Sequence, residues 1–193
     1  MRIVAATKNK GKMAEIRNLL KDTDVELVSW EDAGLGDLEI DENGSSCEEN
    51  SWIKASTVCR LTGEPALADD TGLFVDALDG APGIFAARYA GEHCTEKDNR
   101  VKMLAALEGV PFEKRTATFV TVMTVAYPDG SRVVARGECP GYIAEAESGA
   151  RGFGYDSIFI PKDSDKTFAE LPLESKNSIS HRHLALQKLA ELI

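Results

Sequence analysis

The stretch I-V-A-A-T-K-N-K-G-K-M-A-E-I-R-N-L-L, residues Ile3 to Leu20, decides the fold class. Ile3 to Ala6 is a short apolar run of the kind a buried strand needs, and from Lys10 onward Met13, Ile16, Leu19 and Leu20 recur at helical spacing. The chain therefore opens strand, polar loop, helix. Val25 to Trp30 reads as a second strand, followed by an acidic, Gly-containing loop from Glu31 to Gly44. A second helix starts near Ser45 or Ser46, because Ser45-x-x-Glu48 and Ser46-x-x-Glu49 both fit a capping box; Trp52, Ala55 and Cys59 mark its apolar face. Pro65 then separates that helix from a strand over Ala66 to Ala68. Strands alternating with helices predict an α/β protein with a mixed sheet.

Beyond the first half the pattern shifts. Gly80-Ala81-Pro82-Gly83 is a turn, and Thr95-x-x-Asp98 opens a helix that runs through Leu107 and ends at Gly109. Thr116 to Tyr127 is rich in β-branched and aromatic residues, and Pro128-Asp129-Gly130-Ser131 joins it to Arg132 to Gly137, predicting a long hairpin. Ser157 to Pro161 reads as another strand, and His181 to Ile193 as a C-terminal helix capped by Ser180. No internal repeat or linker interrupts residues 1 to 193, which predicts a single domain.

Composition narrows the function. With 43% hydrophobic residues in 193, the chain can bury a sizeable core. Acidic residues outnumber basic ones, 32 to 22, for a net charge of −10, which disfavours a duplex-binding protein that must neutralise many phosphates. Few aromatics, 7%, disfavour a single-strand binder as well. The four cysteines, Cys47, Cys59, Cys94 and Cys139, form no C-x-x-C pair, and with three histidines no closed zinc site is in prospect. No window approaches a membrane span and the first apolar run is too short for a signal peptide, so the expectation is a cytoplasmic protein with reduced thiols.

Four clusters carry chemistry. Asp69-Asp70, directly after an apolar run and before Thr71-Gly72, can hold a hard divalent cation and orient a water; the same residue types equally suit a surface turn. Thr7-Lys8-Asn9-Lys10-Gly11-Lys12 lies between a strand and a helix N-terminus, where free N–H groups and three lysines suit phosphate; a solvated turn explains the same residues. It is not a Walker A loop, since G-x-x-x-x-G-K-[ST] is absent. Gly149 to Asp156 combines three glycines with the planar faces of Phe153 and Tyr155, suiting a base pocket or a Gly-rich hairpin with core aromatics. Lys176 to Arg182 crowds donors at a helix mouth, for a phosphate, a carbonyl or solvent.

Taken together and in order, these clusters resemble the inosine triphosphate pyrophosphatase, or Ham1-like, family over essentially the whole chain. The matching pieces are T-x-N-x-x-K (Thr7, Asn9, Lys12), E-N-x-x-x-K-A (Glu49, Asn50, Lys54, Ala55), A-D-D-[ST]-G-L (Ala68 to Leu73), G-A-P-G-I-x-[SA]-A-R-[YF] (Gly80 to Tyr89), G-F-G-Y-D (Gly152 to Asp156) and I-S-H-R (Ile179 to Arg182).

The resemblance implies a long twisted mixed sheet in two lobes with a cleft between them, a homodimer, and Mg²⁺-dependent cleavage of ITP, dITP or XTP to the monophosphate and pyrophosphate. It implies Asp70 as catalytic acid/base and metal ligand, Glu42 as second ligand, and Asp69 as support. Lys12, Lys54 and Lys176 would neutralise phosphates, aided by Thr7, Asn9 and Thr71. Phe153 would stack on the purine within the loop of Gly154 and Tyr155, with Asp156, His181 and Arg182 at the purine's edge. The chain departs from the family pattern at Ala150-Arg151, Ser157 and His183, and the adjacent Asp41 and Glu42 leave two registers for the metal ligand. Two other classes fit parts of the chain. A Maf-type nucleotide pyrophosphatase would need an S-x-S-x-R-R motif that Thr7 to Lys12 does not match, and a non-catalytic nucleotide binder need not keep the acidic set.

Overall fold

A computed structural model describes residues 1–193. It contains a mixed seven-stranded sheet and five α-helices. The strands are β1 (Arg2–Ala5), β2 (Glu26–Val28), β3 (Ala66–Val75), β4 (Pro82–Gly83), β5 (Thr116–Ala126), β6 (Arg132–Ile143) and β7 (Phe159–Pro161). The helices are α1 (Lys10–Leu20), α2 (Cys47–Thr62), α3 (Glu96–Ala106), α4 (Leu173–Ile179) and α5 (His181–Ala190). Hydrogen-bonded neighbours run β2-β1-β3-β5-β6-β7, with β4 paired to β3. The β1 pairs with β2 and β3 are parallel, as helix-connected strands require, whereas β3–β4 and β6–β7 are antiparallel. No helix is long and apolar enough to cross a membrane.

The chain forms two compact units. The first comprises Met1–Asp70, Thr121–Gly137 and His183–Ile193, the second Thr71–Val120 and Glu138–Arg182. In the first unit β1, β3 and β5 are buried on both faces, and their two-residue period divides the core. Ile3, Leu67, Met123 and Val125 pack with Ile16 and Leu20 of α1 and Leu186 and Leu189 of α5. Their immediate neighbours Val4, Ala66, Ala68 and Ala126 turn the other way, onto Ala55 and Val58 of α2. The same alternation sends the two adjacent aspartates of β3, Asp69 and Asp70, to opposite faces. In the second unit Met103 and Leu107 of α3 join Leu73, Phe119, Ile143, Phe159 and Phe168.

Several elements differ from the sequence reading. The strand read as Ala66 to Ala68 continues to Val75, so Asp69 and Asp70 lie inside β3 and the turn reading is overturned. Turn-forming residue types are overridden here because Leu73 and Val75 are fully buried and extend the strand into the second unit's core. The second strand shortens to Glu26–Val28. β6 continues past Gly137 to Ile143, its odd positions from Ala135 onward buried, and pairs Gly141 with Pro161. The strand read over Ser157 to Pro161 begins at Phe159, after a 3₁₀ turn at Asp156–Ile158. α4 has no counterpart in the sequence reading: it is seven residues long with Pro172 at its N-cap, and Ser180, extended at ψ 148°, breaks it from α5. Of the predicted capping boxes only that of α3 forms reciprocally, Glu49 bonding Ser45 instead of the Ser46 N–H. Ser46 caps α2 by accepting from Glu49 N–H, and Thr95 and Asp98 cap α3 reciprocally.

Arg115 ties the end of α3 to the end of β6. Its guanidinium, on a residue 3% exposed, donates to the carbonyls of Leu107, Ile143 and Ala144, each at 2.8 Å, and of Val110 at 3.3 Å. Replacing it leaves several buried acceptors without donors. Arg115→Met should therefore lower unfolding free energy by about 3 kcal/mol in urea titrations followed by circular dichroism. A change below about 0.5 kcal/mol would show that water replaces those bonds freely.

Candidate active site

The alternation of β3 aims its two aspartates at different helices. Asp69 shares the face of Leu67 and meets α1: Lys12 Nζ is 2.9 Å from its Oδ2. Asp70 shares the face of Ala68 and meets α2: Lys54 Nζ is 3.3 Å from its Oδ1. Lys54 also reaches Glu42 Oε2 at 2.8 Å. Glu42 is half-buried and Asp41 is exposed, so the structure selects Glu42 as the acidic-loop residue that faces Asp70.

Local sequence explains how that loop is held. Asn50, buried on the first turn of α2, accepts the Gly44 N–H at 2.8 Å; a side chain at Gly44 would collide with Asn50 Oδ1 at 2.7 Å. Glu49 accepts from the Ser45 N–H at 2.6 Å and hydroxyl at 2.8 Å. The E-N pair of the E-N-x-x-x-K-A block therefore folds the acidic loop back over α2, and the lysine one turn later meets it. The first loop is built similarly. Thr7 Oγ1 accepts the Asn9 N–H at 3.1 Å, and Asn9 caps α1 by accepting the Lys12 N–H at 3.0 Å.

The electrostatics of this cluster are distinctive. Burial pushes the Asp70 carboxyl up to about 6; Glu42 adds to the rise while Lys54 and Lys12 oppose it. Glu42 is itself held below the usual range, because Lys54 outweighs the burial that raises it. Lys54 keeps its proton firmly, the carboxylates of Asp70, Asp69 and Glu42 overriding burial. Cys47, buried beside Asp70, is pushed up to about 12 by burial and by that carboxylate's charge, and stays a neutral thiol. Its position at the mouth of α2 was not singled out in the sequence, where a lone cysteine among serines and glutamates carries no signal.

These residues fit a divalent cation. Asp70 Oδ2 is buried and takes no N–H or O–H donor; beside Asp70 lie the Glu42 carboxylate, which cannot donate when ionised, and the Cys47 thiol, a weak donor. Two cations, Lys12 and Lys54, face three carboxylates, Glu42, Asp69 and Asp70, so the ionised cluster is net negative. It would repel a triphosphate that came without a metal. No group of three or more His, Cys, Asp or Glu side chains converges as a closed metal cage, so the chain offers at most the two carboxylates Glu42 and Asp70, a donor set that suits Mg²⁺ because that ion keeps several waters.

The second unit gathers the other predicted residues. Phe153 is half-buried, with Lys176 Nζ 5.2 Å and the Arg182 guanidinium 5.5 Å from its ring centroid. Lys176 is 4% exposed and pairs with Asp156 Oδ2 at 2.8 Å, which places it beside the aromatic loop; the family resemblance groups it with Lys12 and Lys54. Asp156 Oδ2 also accepts the Phe153 N–H at 3.1 Å. A side chain at Gly152 would sit 2.0 Å from that oxygen, so glycine is required there. Tyr155, read from sequence as a planar face for a base, is instead buried, its hydroxyl donated to Ala86 O at 2.6 Å. It anchors the loop. His181 is buried and stacked on Phe119 at 4.4 Å, and Arg182 Nη2 reaches Thr71 Oγ1 at 3.5 Å. Arg151, the departure beside the pocket, is exposed and donates to Glu170 O at 3.0 Å.

Comparison with known proteins gives a consistent set of relatives. A model of the Ham1 family matches residues 3–192. The chain is 47% identical to the dITP/XTP pyrophosphatase of Geobacter sulfurreducens, covering 98% of this chain and 95% of that protein. It is 46% identical to the dITP/XTP pyrophosphatase of Desulforamulus reducens, covering 100% and 96%. Among solved structures, a HAM1 protein from Coxiella burnetii superposes with a TM-score of 0.89 at 39% identity, covering 100% of this chain and 98% of that one. The Staphylococcus aureus Ham1 protein gives 0.88 at 36% identity, covering 100% and 97%.

Proposed function

Because the chain belongs to the Ham1 family, we propose that it is a nucleoside triphosphate diphosphatase that removes dITP, XTP and ITP from the nucleotide pool. Water attacks the α-phosphorus, the bond from that phosphorus to the α–β bridging oxygen breaks, and a nucleoside monophosphate and diphosphate leave. The observation that carries this reading is the cluster of Glu42, Asp70 and Lys54, flanked by Lys12 and Asp69, in the first unit. Asp70 takes the proton from the attacking water, its Oδ2 being the oxygen without a donor. Lys12 and Lys54 hold the phosphate oxygens, and Thr7 and Asn9 keep the loop that presents Lys12. Glu42 and Asp70 would hold Mg²⁺, which when bound would supply charge neutralisation at the phosphate oxygens.

Base recognition falls to the second unit. Phe153 stacks on the purine, and Lys176, Arg182, His181 and Asp156 set the polar surroundings of its edge, with Thr71 beside Arg182. A donor that meets a 6-oxo group is left facing another donor when adenine enters, which can discriminate by about 10⁴-fold. The reading treats the two units as one domain. It also includes a homodimer, for which Phe85, 52% exposed in the Gly80 to Tyr89 segment, offers apolar surface, and a cytoplasmic setting, which suits four free cysteines.

The test is product identification after incubation with Mg²⁺ and ITP, XTP, GTP, ATP or dTTP. Monophosphate and diphosphate should form from ITP and XTP far faster than from ATP or GTP. Orthophosphate with nucleoside diphosphate, or equal rates on ATP and ITP, overturns the reading; preference for dTTP would favour a Maf-type activity instead.

A further inference from the structure

The loop carrying Phe153 has little stiffness of its own. Gly149, Gly152 and Gly154 all adopt left-handed backbone, with φ of +88°, +76° and +61°. The orientation of the Phe153 ring therefore depends on what grips the adjacent peptides. On one side the Phe153 N–H is held from within the loop by Asp156. On the other side the grip comes from α3. Glu96, its first residue, accepts the Gly154 N–H at 2.9 Å, and Arg100, one turn further, donates Nη1 to Gly154 O at 2.8 Å.

Side chains four apart on a helix point the same way, so α3 presents an acceptor and a donor together to the two polar groups of one residue. The N–H that Glu96 holds belongs to the peptide joined directly to Phe153, and fixing that plane fixes the backbone torsion that aims the ring. Arg100 is itself braced by an ion pair through Nε to Glu147, just ahead of the glycine loop. Glu96, Arg100, Glu147, Phe153 and Gly154 all belong to the second unit, whereas the clustered carboxylates and lysines Glu42, Asp69, Asp70, Lys12 and Lys54 belong to the first.

We propose that Glu96 and Arg100 are positioning residues for base recognition: they set the Phe153–Gly154 peptide and hold the ring where a purine stacks. The inference rests on the reading of Phe153 as the base platform. Removing the clamp should weaken binding of the base and leave the chemistry at the phosphates alone.

Steady-state kinetics on ITP with the full-length protein test this, using Glu96→Ala, Glu96→Gln, Arg100→Ala, Phe153→Ala and the double variant Glu96→Ala/Phe153→Ala. The KM of Glu96→Ala should rise about 5-fold with kcat within about 2-fold, the loss of one charge-assisted hydrogen bond. Glu96→Gln, whose amide oxygen still accepts, should recover most of it, and Arg100→Ala should resemble Glu96→Ala. In a Phe153→Ala background the Glu96 substitution should add less than about 2-fold, because the group it orients is gone. Inhibition by tripolyphosphate, which has no base, should be the same in all five. An unchanged KM in Glu96→Ala, an equal loss in Glu96→Gln, or full additivity with Phe153→Ala overturns the proposal. Wild-type turnover of ITP separates the two claims: if the wild type hydrolyses ITP while Glu96→Ala is indistinguishable from it, the clamp alone fails, whereas an inactive wild type overturns the functional reading.

Discussion

Asp70→Asn is expected to reduce turnover of ITP and XTP by at least about 10³-fold, because an amide cannot accept the proton of the attacking water. The same substitution should raise stability at pH 8 in the absence of metal. The sign follows from the shift: the Asp70 carboxyl stands at about 6 in the fold against 3.8 ordinarily, mainly through burial. A raised carboxylate works against the fold above its folded value, and the cost disappears as falling pH protonates it. Asparagine removes that cost, keeps an oxygen for Lys54, and offers an N–H toward Glu42. The gain should be on the order of 1–2 kcal/mol at pH 8 and vanish near pH 4, read from thermal or urea midpoints without Mg²⁺. Activity of the wild type should fall as pH drops through the range where Asp70 takes its proton. A fully active Asp70→Asn variant would remove Asp70 from the catalytic role, and a variant less stable than wild type at pH 8 would contradict the electrostatic account.

Lys54→Met carries the second large effect. Lys54 Nζ is the cation between Glu42 at 2.8 Å and Asp70 at 3.3 Å, on a side chain 12% exposed. Without it two partly buried carboxylates confront each other. Stability at pH 8 should drop by about 3 kcal/mol, less at pH 5 where Asp70 can hold a proton between the pair. Turnover should fall by about 10²-fold or more through loss of phosphate neutralisation. Saturating Mg²⁺ should restore the thermal midpoint further in Lys54→Met than in the wild type, since the metal would supply the missing charge between the same oxygens. Equal midpoint shifts in both proteins would place the metal elsewhere.

Much of this site was legible in the chain because its parts are local. The caps at Ser46 and Thr95 use side chains that bond backbone three residues on, a relation spacing alone reveals. The Asp pair after an apolar run and the glycine-rich aromatic loop were legible for the same reason. Contacts over long separations were not. Nothing in the sequence joins Glu96 to Gly154 across 58 positions, and nothing near Tyr155 shows that its hydroxyl belongs to Ala86, 69 positions earlier.

The chain by itself determined the α/β class, the succession of most elements and the residue types able to hold metal, phosphate and base, since these follow from periodicity and from chemistry written in short blocks. Tertiary structure decided the assignments. Asp69 and Asp70 are adjacent in sequence and identical in type, yet burial of Leu73 and Val75 keeps both inside β3, where alternation sends one to Lys12 on α1 and the other to Lys54 on α2. Only packing of the acidic loop onto Asn50 puts Glu42 rather than Asp41 against Lys54, and only the buried pair with Asp156 shows that Lys176 lies beside the aromatic loop. The reason is physical: a side chain's partner in a fold is chosen by which face of its element is buried and against what, and that is a property of the packed chain.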